Sequence, residues 1–152
     1  MTYNVNLLEI LSRLIENHDP PKNLPKGIVR IERVTIEATR IQFTEKINTN
    51  LITRIAKEEG YEVKEGDFPP RIIDEGIIIA RVGSPSDPGG EQDLYIYPFP
   101  PEMERLSIYR RILAIKKGII DPETESINLE KLHNFNLRIV RFVSRYIREQ
   151  HP

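Results

Sequence analysis

Two groups of basic residues near the C-terminus have the types and spacing needed to bind anions. The first recurs every three or four residues, so on a helix its members form one narrow stripe: Arg138, Arg141, Arg145 and Arg148. The second occupies the preceding helical segment and comprises Arg105, Arg110, Arg111, Lys116 and Lys117. If the two helices pack side by side, the groups merge into a surface that neutralises phosphates with salt-sensitive, largely sequence-independent affinity.

The charge of the chain is unevenly distributed. Residues 105–152 contain ten Arg and Lys against five Asp and Glu, a net charge of +5, whereas the whole chain carries −1, which leaves −6 on residues 1–104. Such asymmetry is typical of proteins that face a polyanion. We therefore predict nucleic acid as one partner class for the C-terminal helices. The alternative is a basic face that is only solvated.

An acidic-x-Lys sequence, Glu62-Val63-Lys64, is similar to the element with which metal-dependent nucleases hold Mg²⁺ and position the attacking water. Such a site needs a second carboxylate, from Glu37 or Glu45, at the same end of the sheet. The alternative is ordinary alternation of Glu and Lys on a solvated strand.

The sequence contains no other set of residues suited to catalysis or cofactor binding. There is no cysteine, and the three histidines lack the helical spacing of metal ligands, so we predict no zinc site and no thiol chemistry. The glycine-rich segment 83–92 has neither a lysine nor dinucleotide-binding spacing, which excludes a nucleotide cradle. We predict a chain without cofactor or metal and lean toward a non-enzymatic role.

Two further features are typical of interfaces. Asn136 lies near the centre of the apolar face of the last helix, where a buried amide needs a partner in another subunit or in its own backbone. We predict it as a partner-interface residue. Tyr95, Tyr97 and Phe99 alternate along a strand, so an exposed row would stack bases and a covered row would belong to the core.

Four amphipathic segments have the spacing of helices, at residues 6–18, 49–59, 102–117 and 129–148. Asn128 is placed to cap the last of them and Gly60 to end the second. A proline-rich connector follows the first, so that helix acts as an arm or joins the core.

Alternating apolar residues predict strands within residues 28–43, with bulges or turns near Glu32-Arg33 and near Thr39. Shorter strands are predicted at 61–64, 77–82 and 94–97, and the segment 77–82 is apolar apart from Arg81, as in a central strand.

This order of elements predicts one α+β domain of two layers, with an antiparallel or mixed sheet. Residues 1–18 form its first helix, residues 28–98 its mainly β part, and residues 101–148 a helical hairpin.

Composition sets the broad class. No apolar run is long enough to span a bilayer and no secretion signal is present, so we predict a cytoplasmic protein without membrane contact. Arg outnumbers Lys 14 to 8 and Gln occurs three times, a composition that favours a heat-adapted source.

Together these features predict an accessory or adaptor subunit of a larger complex, of the replication, repair, transcription or RNA-guided defence type. Its basic C-terminal helices would bind a protein partner and nucleic acid. A metal-dependent nuclease and a structural homo-oligomer, the latter joined by the N-terminal helix or Asn136, are the alternatives.

Overall fold

A computed structural model describes residues 24–66 and 69–150, and the helix predicted at 6–18 lies outside the described residues. The strands in chain order are β1 (Ile28–Thr35), β2 (Ala38–Phe43), β3 (Glu62–Lys64), β4 (Arg71–Asp74), β5 (Ile77–Val82) and β6 (Asp93–Ile96). The helices are α1 (Thr49–Glu58), between β2 and β3, and α2 (Ile108–Lys116) and α3 (Leu129–Gln150), after β6. Short 3-10 helices occupy Gly90–Gln92 and Met103–Arg105.

The strands form one open antiparallel sheet in the order β1-β2-β6-β5-β4-β3. The chain makes the β1–β2 hairpin, crosses to the far edge through α1, and returns strand by strand until β6 pairs with β2. The predicted two-layer α+β fold is confirmed, with a sheet that is antiparallel rather than mixed.

The helices α1 and α3 begin where the sequence predicts, because an asparagine caps each. The Oδ1 atom of Asn48 accepts a hydrogen bond from the backbone N of Leu51 at 3.1 Å, and Asn128 does the same for Lys131 at 3.1 Å. Gly60 has a φ of +90°, which lets the chain leave α1 in a left-handed conformation.

Aromatic side chains of α3 occupy the centre of the core. The Tyr146 ring meets Phe43 of β2 edge-on with centroids 5.5 Å apart, and Phe142 meets Tyr61 at 6.0 Å. The Tyr146 hydroxyl accepts a hydrogen bond from the backbone N of Asn48 at 2.8 Å. The last helix is therefore fixed both to the sheet and to the start of α1.

The helix predicted at 102–117 is wrong in its first turns. Leu106 and Ser107 have extended backbones, with ψ angles of 143° and 159°, so α2 begins only at Ile108. It packs against β5, whereas α1 packs against α3. The two basic groups thus lie on helices with different packing partners.

The strand predictions differ from the structure in detail. The strand predicted at 77–82 is confirmed with the same bounds. The strand β4, in which Ile72 is fully buried, was not predicted. In the first hairpin, the register shifts between Arg33 and Thr35 and the turn follows at residues 36–37. No helix in the described ranges is long and apolar enough to cross a bilayer.

Candidate interaction surfaces

Arg145 of the predicted stripe is neutralised within the chain. Its Nε lies 2.6 Å from Glu149 one turn later, its Nη1 lies 3.6 Å from Glu59, and its Nη2 bonds Glu58. The hydrogen bonds that Arg145 donates to Glu58 and Glu149 hold its pKa above its ordinary value. This arginine joins α3 to the end of α1.

Arg138 is also used inside the fold. Its guanidinium donates a hydrogen bond of 2.6 Å to the carbonyl oxygen of Glu59 and lies 4.4 Å from the centre of the Tyr61 ring. The Asp74 carboxylate is 3.9 Å away. Burial raises the pKa of Tyr61 to about 12, so its ring stays neutral beneath this cation.

The other two members of the stripe, Arg141 and Arg148, are exposed. Neither makes a hydrogen bond or an ion pair within the described part of the chain. They are seven residues apart on α3, so they lie on one face about 10.5 Å apart along the axis. Half of the stripe is therefore available to an external anion.

The second basic group is divided in the same way. Lys117 binds Asp74 at 2.9 Å and lies 3.7 Å from Glu75, and Arg111 pairs with Glu125. Arg110 is only 5% exposed. Within this second group, Arg105 and Lys116 are exposed and make no ion pair with a residue of 24–66 or 69–150.

Asn136 uses its amide within the chain. Its Oδ1 accepts from the backbone N of Phe99 at 2.8 Å, and its Nδ2 donates to the carbonyl oxygen of Phe99 at 2.9 Å. The residue is 6% exposed. Of the two alternatives for the Asn136 amide, the structure shows hydrogen bonds to the backbone of its own chain. A role for Asn136 in a partner interface stays a prediction.

The aromatic row is covered. Tyr95 is 6% exposed with the Arg81 guanidinium 4.2 Å from its ring centre, and Phe99 is fully buried against Phe135 at 4.7 Å. Because two of its three rings are inaccessible, the row belongs to the core and does not form a base-stacking platform.

The residues proposed for a nuclease site lie apart. Glu62 and Lys64 are exposed on β3, an edge strand, whereas Glu37 and Glu45 flank β2. Four strand spacings separate β2 from β3, about 19 Å at the usual distance between neighbouring strands. The described residues contain no group of three or more His, Asp or Glu side chains able to hold a metal ion.

A surface that the sequence did not predict lies on α2. Ile108, Tyr109 and Ile112 are 69%, 68% and 39% exposed, and both Ile108 and Tyr109 neighbour Ile112 because they precede it by four and three residues on one helix. We call these three side chains the α2 surface. A cluster of exposed large apolar side chains is a candidate interaction site.

A mainly apolar groove of about 700 Å³, whose wall also carries Glu104 and Glu125, borders α2. Arg111, next to Ile112 in sequence, lines the groove together with Leu129, which is 73% exposed. Met103 and Leu132 form further parts of its wall.

The true start of α2 explains why this surface was not predicted. In a helix that begins at residue 102, Leu106, Tyr109 and Ile112 follow one another at three-residue spacing, which predicts an amphipathic segment. In the structure the buried residues of α2 are Arg110, Leu113 and Ala114. When the helix is taken to begin after Ser107, its apolar residues are too many to fit on one buried face, so some of them must be exposed.

Comparison with family models, with curated proteins and with solved structures finds no match.

Proposed function

We propose that this chain is a non-enzymatic accessory or adaptor subunit that binds a protein partner through the α2 surface. The observation that carries the proposal is the solvent exposure of Ile108, Tyr109 and Ile112 side by side. Burying large apolar side chains on association is favourable, and central aromatic or aliphatic anchors dominate the energy of most interfaces.

The surroundings of the α2 surface specify the chemistry of the partner. The exposed cations Arg105 and Lys116 precede and follow the three apolar residues, and neither is neutralised by another described residue. The adjoining groove offers a concave apolar wall. These features favour an amphipathic partner segment with apolar anchors and acidic ends.

The test starts by identifying the partner through co-purification from native cells and then measures binding of the two purified proteins by calorimetry. The double variant Ile108→Glu, Ile112→Glu should weaken binding at least about tenfold, since two buried anchors are lost. Val34→Glu is the matched control, because Val34 is 51% exposed on the edge strand β1. Equal affinity of all three proteins would overturn the proposal.

Light scattering of the pure protein separates the adaptor from a structural homo-oligomer. A wild-type dimer that the same double variant converts to a monomer would assign the α2 surface to a second copy. A monomeric wild type that binds a different protein supports the adaptor role.

Nucleic-acid association is a second candidate, favoured by Arg141 and Arg148, which are exposed and make no ion pair with any described residue. Binding of a labelled duplex at about 50 mM salt should fall with rising salt and should be lost in the variant Arg141→Gln, Arg148→Gln. Glu130→Gln, an exposed change on the same helix, is the control and should bind slightly better. Absence of binding by the wild type at low salt would remove this function.

A further inference from the structure

A cleft of about 550 Å³ lies between α2, the β1–β2 turn and the start of β5. Its wall is mainly apolar and is formed by Ala38, Ile77, Ile78, Tyr97 and Tyr109. A volume of this size is in the range of small-molecule and side-chain pockets. What sets the cleft apart is the cation that also lines it, Arg110.

No carboxylate of the described residues forms an ion pair with the buried Arg110 guanidinium, although the charges of Glu37 and Asp74 act on it from a greater distance. One Nη donates to the carbonyl oxygen of Ile78 at 2.9 Å and the other to that of Tyr97, while Nε has no hydrogen-bond partner. A guanidinium has five N–H donors, so three are unused within the described chain. Burial lowers the pKa of Arg110 to about 10, which still leaves it charged at neutral pH.

A buried cation in a protein interior is normally paired with an anion, because desolvation of an uncompensated charge is costly. The rings of Phe99 and Tyr97, with centres 5.0 and 6.0 Å from the guanidinium carbon, offset part of that cost. The carboxylate that lines the same cleft, Glu37, is engaged elsewhere. It accepts hydrogen bonds from the backbone N and the Oγ of Ser107 at 3.1 and 2.8 Å.

We propose that this cleft binds a carboxylate carried on a short aliphatic group, with Arg110 as its charge partner and Ile77 and Ile78 as its apolar wall. A free carboxylic acid and the C-terminus of a peptide share this chemistry. The proposal does not rest on the adaptor function, since a free acid binds or fails to bind whether or not a partner protein exists.

Titration of the full chain with isovalerate, followed by NMR of isoleucine and alanine methyl groups, tests the site. Saturable shifts at Ala38, Ile77 and Ile78 are expected, with a Kd in the millimolar range for so small a ligand. Isovaleramide has the same shape without the charge and should cause no saturable shift. Equal shifts with acid and amide, or none with the acid, would overturn the proposal.

N-acetyl-leucine distinguishes the two sources. Tighter binding than isovalerate assigns the site to a peptide C-terminus, because the peptide group adds contacts. Weaker binding assigns it to a small free acid.

Variants test the role of the guanidinium. Arg110→Lys should weaken isovalerate binding about tenfold, since a lysine cannot present the planar fork. Glu37→Gln should strengthen it about threefold by removing a negative charge from the cleft. Lys57→Gln, at an exposed cation of α1, is the control and should leave the affinity unchanged.

If Arg110→Lys does not fold, Glu37→Gln and the amide comparison still decide the outcome. An unchanged or weaker affinity in folded Glu37→Gln would contradict the proposed position of the carboxylate.

Discussion

Arg40 and Asp93 form a buried ion pair across the sheet, with Nε and Oδ2 3.0 Å apart and side chains 5% and 0% exposed. Glu32 binds the same guanidinium at 2.9 Å, and Asp93 also accepts a hydrogen bond from the backbone N of Gly89 at 2.8 Å. Burial alone would lower the pKa of Arg40, but the hydrogen bond that it donates to Glu32 and the negative charge of Asp93 raise it. This pair holds the segment before β6 against β2.

Replacing Asp93 by Ala should lower the free energy of unfolding by about 3–5 kcal/mol, because it leaves Arg40 buried opposite a missing charge. Chemical denaturation provides the measurement. The control is Glu91→Ala, whose partner Lys46 is 79% exposed, and its effect should stay within about 0.5 kcal/mol. Comparable losses of unfolding free energy in both variants would show that burial does not make the Arg40–Asp93 ion pair more stabilising than an exposed one.

Asp87 should make the protein sensitive to acid. The pKa of Asp87 lies far below its ordinary value, first because Arg81 donates to it at 2.9 Å and also because the backbone N of Ser84 donates at 2.7 Å. A carboxyl group whose pKa is lower in the folded state stabilises the fold fully at pH values above its pKa in the unfolded chain. That stabilisation is lost as the pH falls through the pKa of the folded state.

We therefore expect Asp87→Asn to remove about 2 kcal/mol of stability at neutral pH and much less at low pH, with the difference shrinking from about pH 4 downward. Urea unfolding at several pH values measures it. Arg81→Gln should show the same loss of pH dependence. If the difference in unfolding free energy between wild type and Asp87→Asn persists undiminished at low pH, the Arg81–Asp87 ion pair is not its cause.

Asn136→Leu should destabilise the fold by about 2–4 kcal/mol, because the N–H and carbonyl groups of Phe99 would both lose their partner in a buried place. Asn134→Leu is the matched control, since Asn134 is exposed two residues earlier on α3. Thermal and chemical unfolding of both variants should separate them clearly. If both are equally stable, the Phe99 bonds contribute nothing to stability.

Arg145→Gln should lower the melting temperature, whereas Arg141→Gln should not. Arg145 bonds Glu58 and Glu149, while Arg141 has no ion pair in the part of the chain described. Salt should reduce the difference between the variants, since these charges are only partly buried. Equal melting temperatures at low salt would show that the Arg145 network is not a stabilising link between α1 and α3.

Local pattern was sufficient to predict α1, α3 and β5. In the sequence Gly60 indicates the end of α1 and Asn128 the start of α3, and Ile77–Val82 contains one charge, Arg81, among apolar residues. The strand β4 was not predicted because Arg71–Asp74 has only two apolar residues between two charges. Its place between β3 and β5, where Ile72 pairs with Val63 and Ala80, is a long-range feature that a four-residue pattern cannot show.

The candidate sites depended on contacts that periodicity cannot show. Arg145 bonds Glu58, which lies 87 residues earlier in the sequence. The spacing of the stripe therefore predicted the helix face of Arg145 correctly, but it could not show that a distant carboxylate neutralises this arginine. Arg110 likewise looked like a surface cation. Its burial follows from the packing of α2 on β5, which a helical pattern alone does not specify.

The strand order has a consequence for how the chain is made. Among the described strands β6 is the last to be synthesised, yet it lies between β2 and β5 in the interior of the sheet. Until residue 96 has been added, the β1–β2 hairpin and the β3–β4–β5 unit each lack the strand that pairs with their inner edge, and such edges favour pairing with other chains. Completion of the six-stranded sheet therefore waits for β6, whose four residues cover both inner edges.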